Sequence, residues 1–118
     1  MTDQGAVLGE GELVSGKSTS GVARRIVSIA DVLELLDNPD LGEMILLTDS
    51  ASATAIMPLL PEVRGVICSA GGRTSHLATV SRELGLSCVV GTSFPGEVDV
   101  DGRRVVIADD GKVMSGEG

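Results

Sequence analysis

Short apolar runs alternate with helical patterns through the middle of the chain. Residues 44–48, 65–69 and 88–90 are continuous apolar runs, too short for helices and typical of strands buried on both faces. Residues 21–27 predict an earlier strand, and helical patterns occupy residues 49–57 and 74–84. Strands that alternate with helices at this spacing predict a parallel sheet with helical crossovers.

A further helix is predicted to begin at Ser28 and to end before Asn38-Pro39, since proline disfavours helix in the residue before it. Ser28 and Asp31 are spaced as a capping box with aspartate in place of glutamate. Four apolar residues are predicted to share one face of this helix: Ile29, Val32, Leu33 and Leu36.

The two ends of the chain have a different pattern. Residues 6–14 are strand-like but broken by glycines, and residues 103–108 and 112–114 predict strands separated by the turn Asp109-Asp110-Gly111. Asp101-Gly102 is a strong hairpin signal after a short extended piece at 96–99. We expect these C-terminal strands to form an antiparallel meander that pairs with the N-terminal strands. The aspartates at 99, 101, 109 and 110 are explained better by turn chemistry than by a metal site.

The segment richest in candidate functional residues leads into the third helical pattern, at residues 74–84. It places Gly71, Gly72, Arg73, Thr74 and Ser75 directly before His76, the single histidine of the chain. Leu77, Val80 and Leu84 recur on one helical face, Gly85 is a plausible stop, and Thr74 or Ser75 is a plausible N-cap. His76 is therefore expected in the first turn, where unpaired N–H groups and the helix dipole favour an anion such as phosphate.

An imidazole in that position is suited to phosphoryl chemistry. Its neutral nitrogen is a good nucleophile near pH 7 and also a good leaving group. The glycines permit close approach to the backbone, and the Thr74 and Ser75 hydroxyls can donate hydrogen bonds to phosphoryl oxygens. A lone histidine is, however, often a structural residue, so the residues around it decide between the two interpretations.

Composition narrows the class of protein. The 118 residues suffice for one domain, taken as 1–118, and 42% are apolar, so the chain should be globular. The formal net charge of −8 argues against a nucleic-acid partner. No apolar run could span a bilayer and no signal peptide is evident, so a cytoplasmic location is expected. Cys68 and Cys88 are interpreted as reduced core thiols rather than zinc ligands.

The polar segment Gly16-Lys17-Ser18 resembles the end of a phosphate-binding P-loop, and Gly11 stands at the matching upstream position. That loop needs a helix immediately after it, whereas residues 21–27 predict a strand. We therefore reject a nucleotide triphosphatase site here.

The His76 segment resembles the mobile phosphohistidine domain of the phosphoenolpyruvate-utilising enzymes, a family that includes pyruvate phosphate dikinase and phosphoenolpyruvate synthase. The resemblance extends from about residue 16 to 116. Leu77, Ser81 and Ser87 depart from the residues usual in the family, and Leu77 beside the site bears on which partner docks. The matching residues are Gly71-Gly72-Arg73-Thr74-Ser75-His76, Ser81-Arg82, Gly85 and Cys88-Val89-Val90-Gly91.

This resemblance implies the swivelling β/β/α fold, an α/β domain with a small, mostly parallel sheet and antiparallel strands from both ends. It implies that His76 is phosphorylated by an ATP-grasp partner and passes the phosphoryl group to or from a second site, pyruvate or another small acceptor. ATP and magnesium would belong to the partner, and no cofactor or metal to this domain. The chain would then be a detached version of a normally tethered domain, since it begins with Met and has no ATP-grasp segment. The alternatives are a binding or regulatory module that keeps the fold, or a fragment of a larger dikinase.

Four further residues are candidates for the same site. In related domains the Gly- and Ser-rich turn lies near the phosphohistidine, so Ser18, Thr19 and Ser20 are expected to line it. Arg82 matches an arginine of the family, with a structural salt bridge as the preferred account. For Arg73, phosphate contact and a solvated surface charge are equally plausible.

Overall fold

Seven strands close into a barrel in which parallel and antiparallel pairings occupy separate halves. The computed structural model describes residues 7–26, 28–48, 56–69, 76–94 and 101–116. Single-turn 3-10 helices lie at Leu41–Glu43 and Met57–Leu59. The strands and helices, in chain order, are β1 (Val7–Ser15), β2 (Thr19–Arg25), α1 (Ile29–Leu35), β3 (Met44–Thr48), β4 (Gly65–Cys68), α2 (His76–Leu84), β5 (Ser87–Ser93), β6 (Arg104–Ile107) and β7 (Lys112–Ser115).

The parallel half is the one that the apolar runs predict. β2, β3, β4 and β5 lie side by side in that order, with Ile45 opposite Gly65 and Gly65 opposite Ser87. α1 connects β2 to β3 and α2 connects β4 to β5, so the crossover prediction is confirmed for these two connections. The predicted helix at 49–57 falls largely on residues 49–55, outside the described residues.

The antiparallel half closes the sheet. β1 pairs with β5 on one side and with β7 on the other, while β6 pairs with β7 and β2. The predicted pairing of the C-terminal meander with the N-terminal strands is therefore confirmed. The closure itself is a finding that the local patterns did not predict. The mixed α/β class is confirmed as well.

Two apolar clusters lie on the two sides of the strands. One draws on all seven strands and on no helix, so it fills the barrel interior; it includes Ile45, Ile67 and Val89. The other packs α1, α2 and the connecting segments against the outer side of the parallel strands, and Leu46 and Val66 belong to it. Because alternate residues of one strand enter different clusters, β3 is buried at every position, which explains its unbroken apolar run.

The buried face of α1 differs from the predicted one. Val32 and Leu35 are the buried residues of the helix, whereas Ile29 and Leu33 are 60% and 61% exposed and Leu36 is 45% exposed. The predicted capping box is present: the Asp31 carboxylate accepts a hydrogen bond from the Ser28 N–H at 3.2 Å. The helix start was thus predicted correctly, and of the four residues on the predicted apolar face only Val32 is buried.

The aspartates at the described turns accept hydrogen bonds from backbone N–H groups. The Asp101 carboxylate accepts a hydrogen bond from the Arg25 N–H at 2.9 Å, and that of Asp109 accepts one from the Ser18 N–H at 3.0 Å. Asp110 accepts the Lys112 N–H at 3.1 Å within the β6–β7 turn. Only the Asp110 contact is local turn chemistry, whereas those of Asp101 and Asp109 join their turns to distant segments. The piece at 96–99, which includes Asp99, lies outside the described residues.

Candidate functional site

His76 is the first residue of α2, and its side chain is exposed. The helix follows β4, whose carboxyl end lies at the same edge of the parallel sheet as those of β2 and β3. Ligands of parallel sheets gather at this edge. Arg73 and the other predicted phosphate-contacting residues, Gly71, Gly72, Thr74 and Ser75, lie outside the described residues, so their roles stay predictions.

The remainder of α2 is anchored to the outer apolar cluster. Leu77 and Ala78 are buried and Val80 is partly buried against that cluster. Leu84, which the periodicity placed on the same face, is 46% exposed. Gly85 ends the helix with a φ of 69° and donates its N–H to the Arg82 carbonyl at 3.2 Å, which is the predicted stop.

Arg82 ties α2 to β1. Its Nε donates a hydrogen bond to the Val14 carbonyl oxygen at 3.2 Å. Arg82 lies six positions after His76 in the helix, about 9 Å along the axis. The guanidinium therefore has a structural contact at a distance from the imidazole, in line with the preferred structural account, although this partner is a carbonyl.

The structure does not bring the Gly- and Ser-rich turn together with His76. Ser18 and Thr19 line a cleft with residues 84–87, at the carboxyl end of α2. Ser20 pairs with Val106 of β6 at the same edge of the barrel. Since His76 begins the helix and this turn lies beside its other end, the expectation that residues 18–20 line the histidine's site is corrected.

A different cleft, which the sequence did not predict, lies at the edge where His76 begins α2. A cavity of about 170 Å³ opens at the carboxyl ends of β2, β3 and β4, and Arg25, Ser69 and Phe94 are among its lining residues. Arg25 brings an exposed cation to this edge. The signal that could have found it is its position as the last residue of a parallel strand, because such positions face ligands in parallel sheets.

Neither a metal site nor a membrane-spanning helix is found among the described residues. They contain no group of three or more His, Cys, Asp or Glu side chains arranged to hold a metal ion. None of the helices among them has the length and apolar character needed to cross a membrane.

Comparison with known families identifies the family of this chain. A family model described as the mobile domain of PEP-utilising enzymes matches residues 41–111, more than half of the chain. The chain belongs to this family. Within the mobile-domain family, it is similar to a probable phosphoenolpyruvate synthase of Methanothermobacter thermautotrophicus, with 35% identity over 113 residues, which is 89% of this chain and 16% of that protein. This chain spans only 12 to 16% of the length of such synthases.

Two solved structures share the fold of this mobile domain. Holo aconitase X of Thermococcus kodakaraensis matches with a TM-score of 0.58 and 16% identity, over 91% of this chain and 96% of that one. The N-terminal domain of Enzyme 1 - Nitrogen matches with a TM-score of 0.50 and 21% identity, over 73% of this chain and 36% of that one. At these identities the likeness concerns the fold.

Proposed function

We propose that this mobile domain is a phosphocarrier whose His76 accepts a phosphoryl group from one protein site and delivers it to another. The observation that carries the proposal is the exposed imidazole at the first residue of α2, in a chain of the PEP-utilising mobile-domain family. An exposed ring is accessible to a docked partner, and the amino end of a helix favours the negative charge that phosphorylation adds.

The chemistry is a pair of displacements at phosphorus. One imidazole nitrogen attacks the phosphoryl group, so that a P–N bond forms while the P–O bond to the leaving group breaks, and the bond electrons leave with that oxygen. The second displacement reverses the roles: an acceptor oxygen attacks phosphorus and the imidazole departs. Between the two displacements the protein carries the phosphoryl group on its imidazole. The reactivity of the P–N bond allows transfer of that group to the acceptor.

The phosphoryl donor in this proposal is ATP bound with magnesium on an ATP-grasp partner, and the acceptor site belongs to a second protein or domain. The names of the similar synthases give phosphoenolpyruvate as what those proteins make. We therefore take pyruvate as the small acceptor and phosphoenolpyruvate as the product of the second transfer. A swivelling motion between the two sites would bring His76 to each in turn, and cytoplasmic nucleotide would supply the energy.

The proposal predicts that His76→Ala abolishes phosphorylation and leaves the fold intact, because the exposed ring makes no contribution to the core. Tagged wild-type and variant chains would be isolated rapidly from their native cells at alkaline pH, and intact masses measured before and after brief acid treatment. We expect one acid-labile phosphoryl group on the wild type and none on the variant.

Acid lability separates phosphohistidine from an ester on Thr74 or Ser75, because phosphate esters of hydroxyls survive the same treatment. Matching amide spectra of the two proteins serve as the control for folding. Acid-labile phosphate on the His76→Ala protein, or none on the wild type, would contradict the carrier role and favour a binding module that keeps the fold.

A further inference from the structure

The cleft lined by Ser18, Thr19 and residues 84–87 lies at the opposite edge of the barrel from the carboxyl strand ends. It has a volume of about 380 Å³, within the range of roughly 300–1,000 Å³ that is usual for ligand pockets. The turn between β1 and β2 forms one wall, and the segment that joins α2 to β5 forms another. The turn between β1 and β2 contains the Gly16-Lys17-Ser18 segment, which resembles the end of a P-loop in sequence and has no role in the proposed carrier function.

Two cations line this cleft in a chain with a formal net charge of −8. The Arg64 guanidinium is fixed by two hydrogen bonds, from Nε to the Gly42 carbonyl at 3.2 Å and from Nη1 to the Ser20 carbonyl at 3.3 Å. A guanidinium carries five N–H donors, so donors are left over for a ligand. Lys17 is exposed and adds a mobile ammonium group on the same cleft.

The turn that presents Lys17 is held in place by β5. Gly16 has a φ of 73°, and a β-carbon there would meet the backbone of Ser87 at 2.5 to 2.6 Å. The Lys17 N–H donates to the Ser87 hydroxyl at 3.3 Å, and that hydroxyl donates back to the Lys17 carbonyl. Little backbone ordering is therefore left for a ligand to induce, which favours binding.

The other wall of the cleft is apolar. Leu60, Pro61 and Leu84 are among its lining residues. Leu84 is 46% exposed, an unusual position for a leucine that continues the apolar periodicity of α2. The cleft thus joins a cationic end to an apolar surface.

We infer that this cleft binds a small amphipathic anion, with its phosphate or carboxylate at Lys17 and Arg64 and its apolar body against Pro61 and Leu84. Hydroxyls of Ser18 and Thr19 add hydrogen-bond donors on the same wall. A nucleotide held by a phosphate loop is excluded, because strand β2 begins at Thr19 where that loop requires a helix. The Asp109 carboxylate, bound to the Ser18 N–H, opposes anions, so the affinity should be modest and fall with added salt.

The inference is independent of the carrier role, because it concerns the other end of α2 and needs no phosphorylation. Its test is a titration of the unphosphorylated protein, followed by residue-resolved amide NMR, with isobutyl phosphate, inorganic phosphate and isobutanol as probes. We expect saturable shifts at Lys17–Thr19 and Gly85–Ser87 with the ester, weaker binding of phosphate and none of the alcohol.

Variants assign the contacts. Lys17→Ala should weaken binding of the ester up to about 5-fold, the upper range for one exposed ion pair, whereas the same change at Lys112, which pairs with Asp110 at 3.6 Å, should not. Leu84→Ala should remove the preference for the ester over phosphate, with unchanged folding because this leucine is exposed. Equal affinities for ester and phosphate, shifts concentrated at His76–Thr79, or equal losses in the two lysine variants would overturn the inference.

Discussion

At the scale of single residues, burial changes the acidity of one thiol. Cys88 lies in β5, fully buried, on the outer side of the parallel strands with Cys68 in the same apolar cluster. Burial raises the pKa of the Cys88 thiol to about 11, because the thiolate would lose its hydration there. Both cysteines are buried and neither forms a disulfide, as the sequence predicted.

This shift gives a pH dependence of stability with a definite sign. The folded protein holds the Cys88 proton more tightly than the unfolded chain, so its contribution is complete below about pH 9 and is lost as the pH approaches 11. The loss should be on the order of 2 kcal/mol near pH 10.5. Urea unfolding of the wild type and Cys88→Ala from neutral to alkaline pH checks it, since the variant lacks the thiol.

The gap in stability between the two proteins should narrow as the pH rises, because every other titrating group is common to both. A constant gap across this range would mean that Cys88 is as acidic in the folded protein as in the unfolded chain.

His76 shows what sequence establishes at this scale and what it leaves open. Its place at the helix start and its exposure agree with the prediction from the Gly-Gly-x-Thr-Ser-His spacing. Spacing alone did not reveal Arg25, because that residue reaches the same edge through pairing of β2 with β3, a contact between distant segments.

At the scale of elements, α1 shows how an amphipathic pattern can be ambiguous. The helix carries apolar residues on two sides, so periodicity allows either Ile29 with Leu33 or Val32 with Leu35 to face the core. Packing into the outer apolar cluster selects the second pair, since Val32 and Leu35 belong to that cluster. Capping, a local interaction, was predicted correctly, whereas the rotation of the helix depends on tertiary contacts.

Two matched truncations test this rotation. Leu35→Ala should cost about 2–5 kcal/mol, because it empties space in the core, and Leu33→Ala should change stability by less than about 0.5 kcal/mol. Chemical denaturation of both variants measures the difference. A larger cost for Leu33→Ala would restore the arrangement that the sequence pattern first suggested.

At the scale of the whole molecule, the β6–β7 turn is where the barrel closes. Gly111 has a φ of 89°, and a β-carbon there would collide with the Gly11 carbonyl oxygen of β1. The Gly11 N–H donates to the Gly111 carbonyl at 3.0 Å, so the turn is joined directly to β1. The sequence predicted the turn but not the strand against which it would pack.

Gly111→Ala should therefore be much more damaging than Gly102→Ala. Gly102 has a similar φ of 82° but open space around a β-carbon, so its variant should lose only the roughly 1–2 kcal/mol of left-handed strain. Gly111→Ala adds a backbone collision, and we expect at least twice that loss in thermal or urea unfolding. Similar losses in the two variants would show that β1 yields at the closure point.

The closed sheet also affects how this protein can meet others. Among the described strands, each one from β1 to β7 is paired on both sides, so no row of backbone donors and acceptors is left for a foreign strand to extend. A carrier that visits two sites in turn must let go of each one, and recognition through side chains alone suits brief encounters. The same closure disfavours edge-to-edge association between copies of this chain.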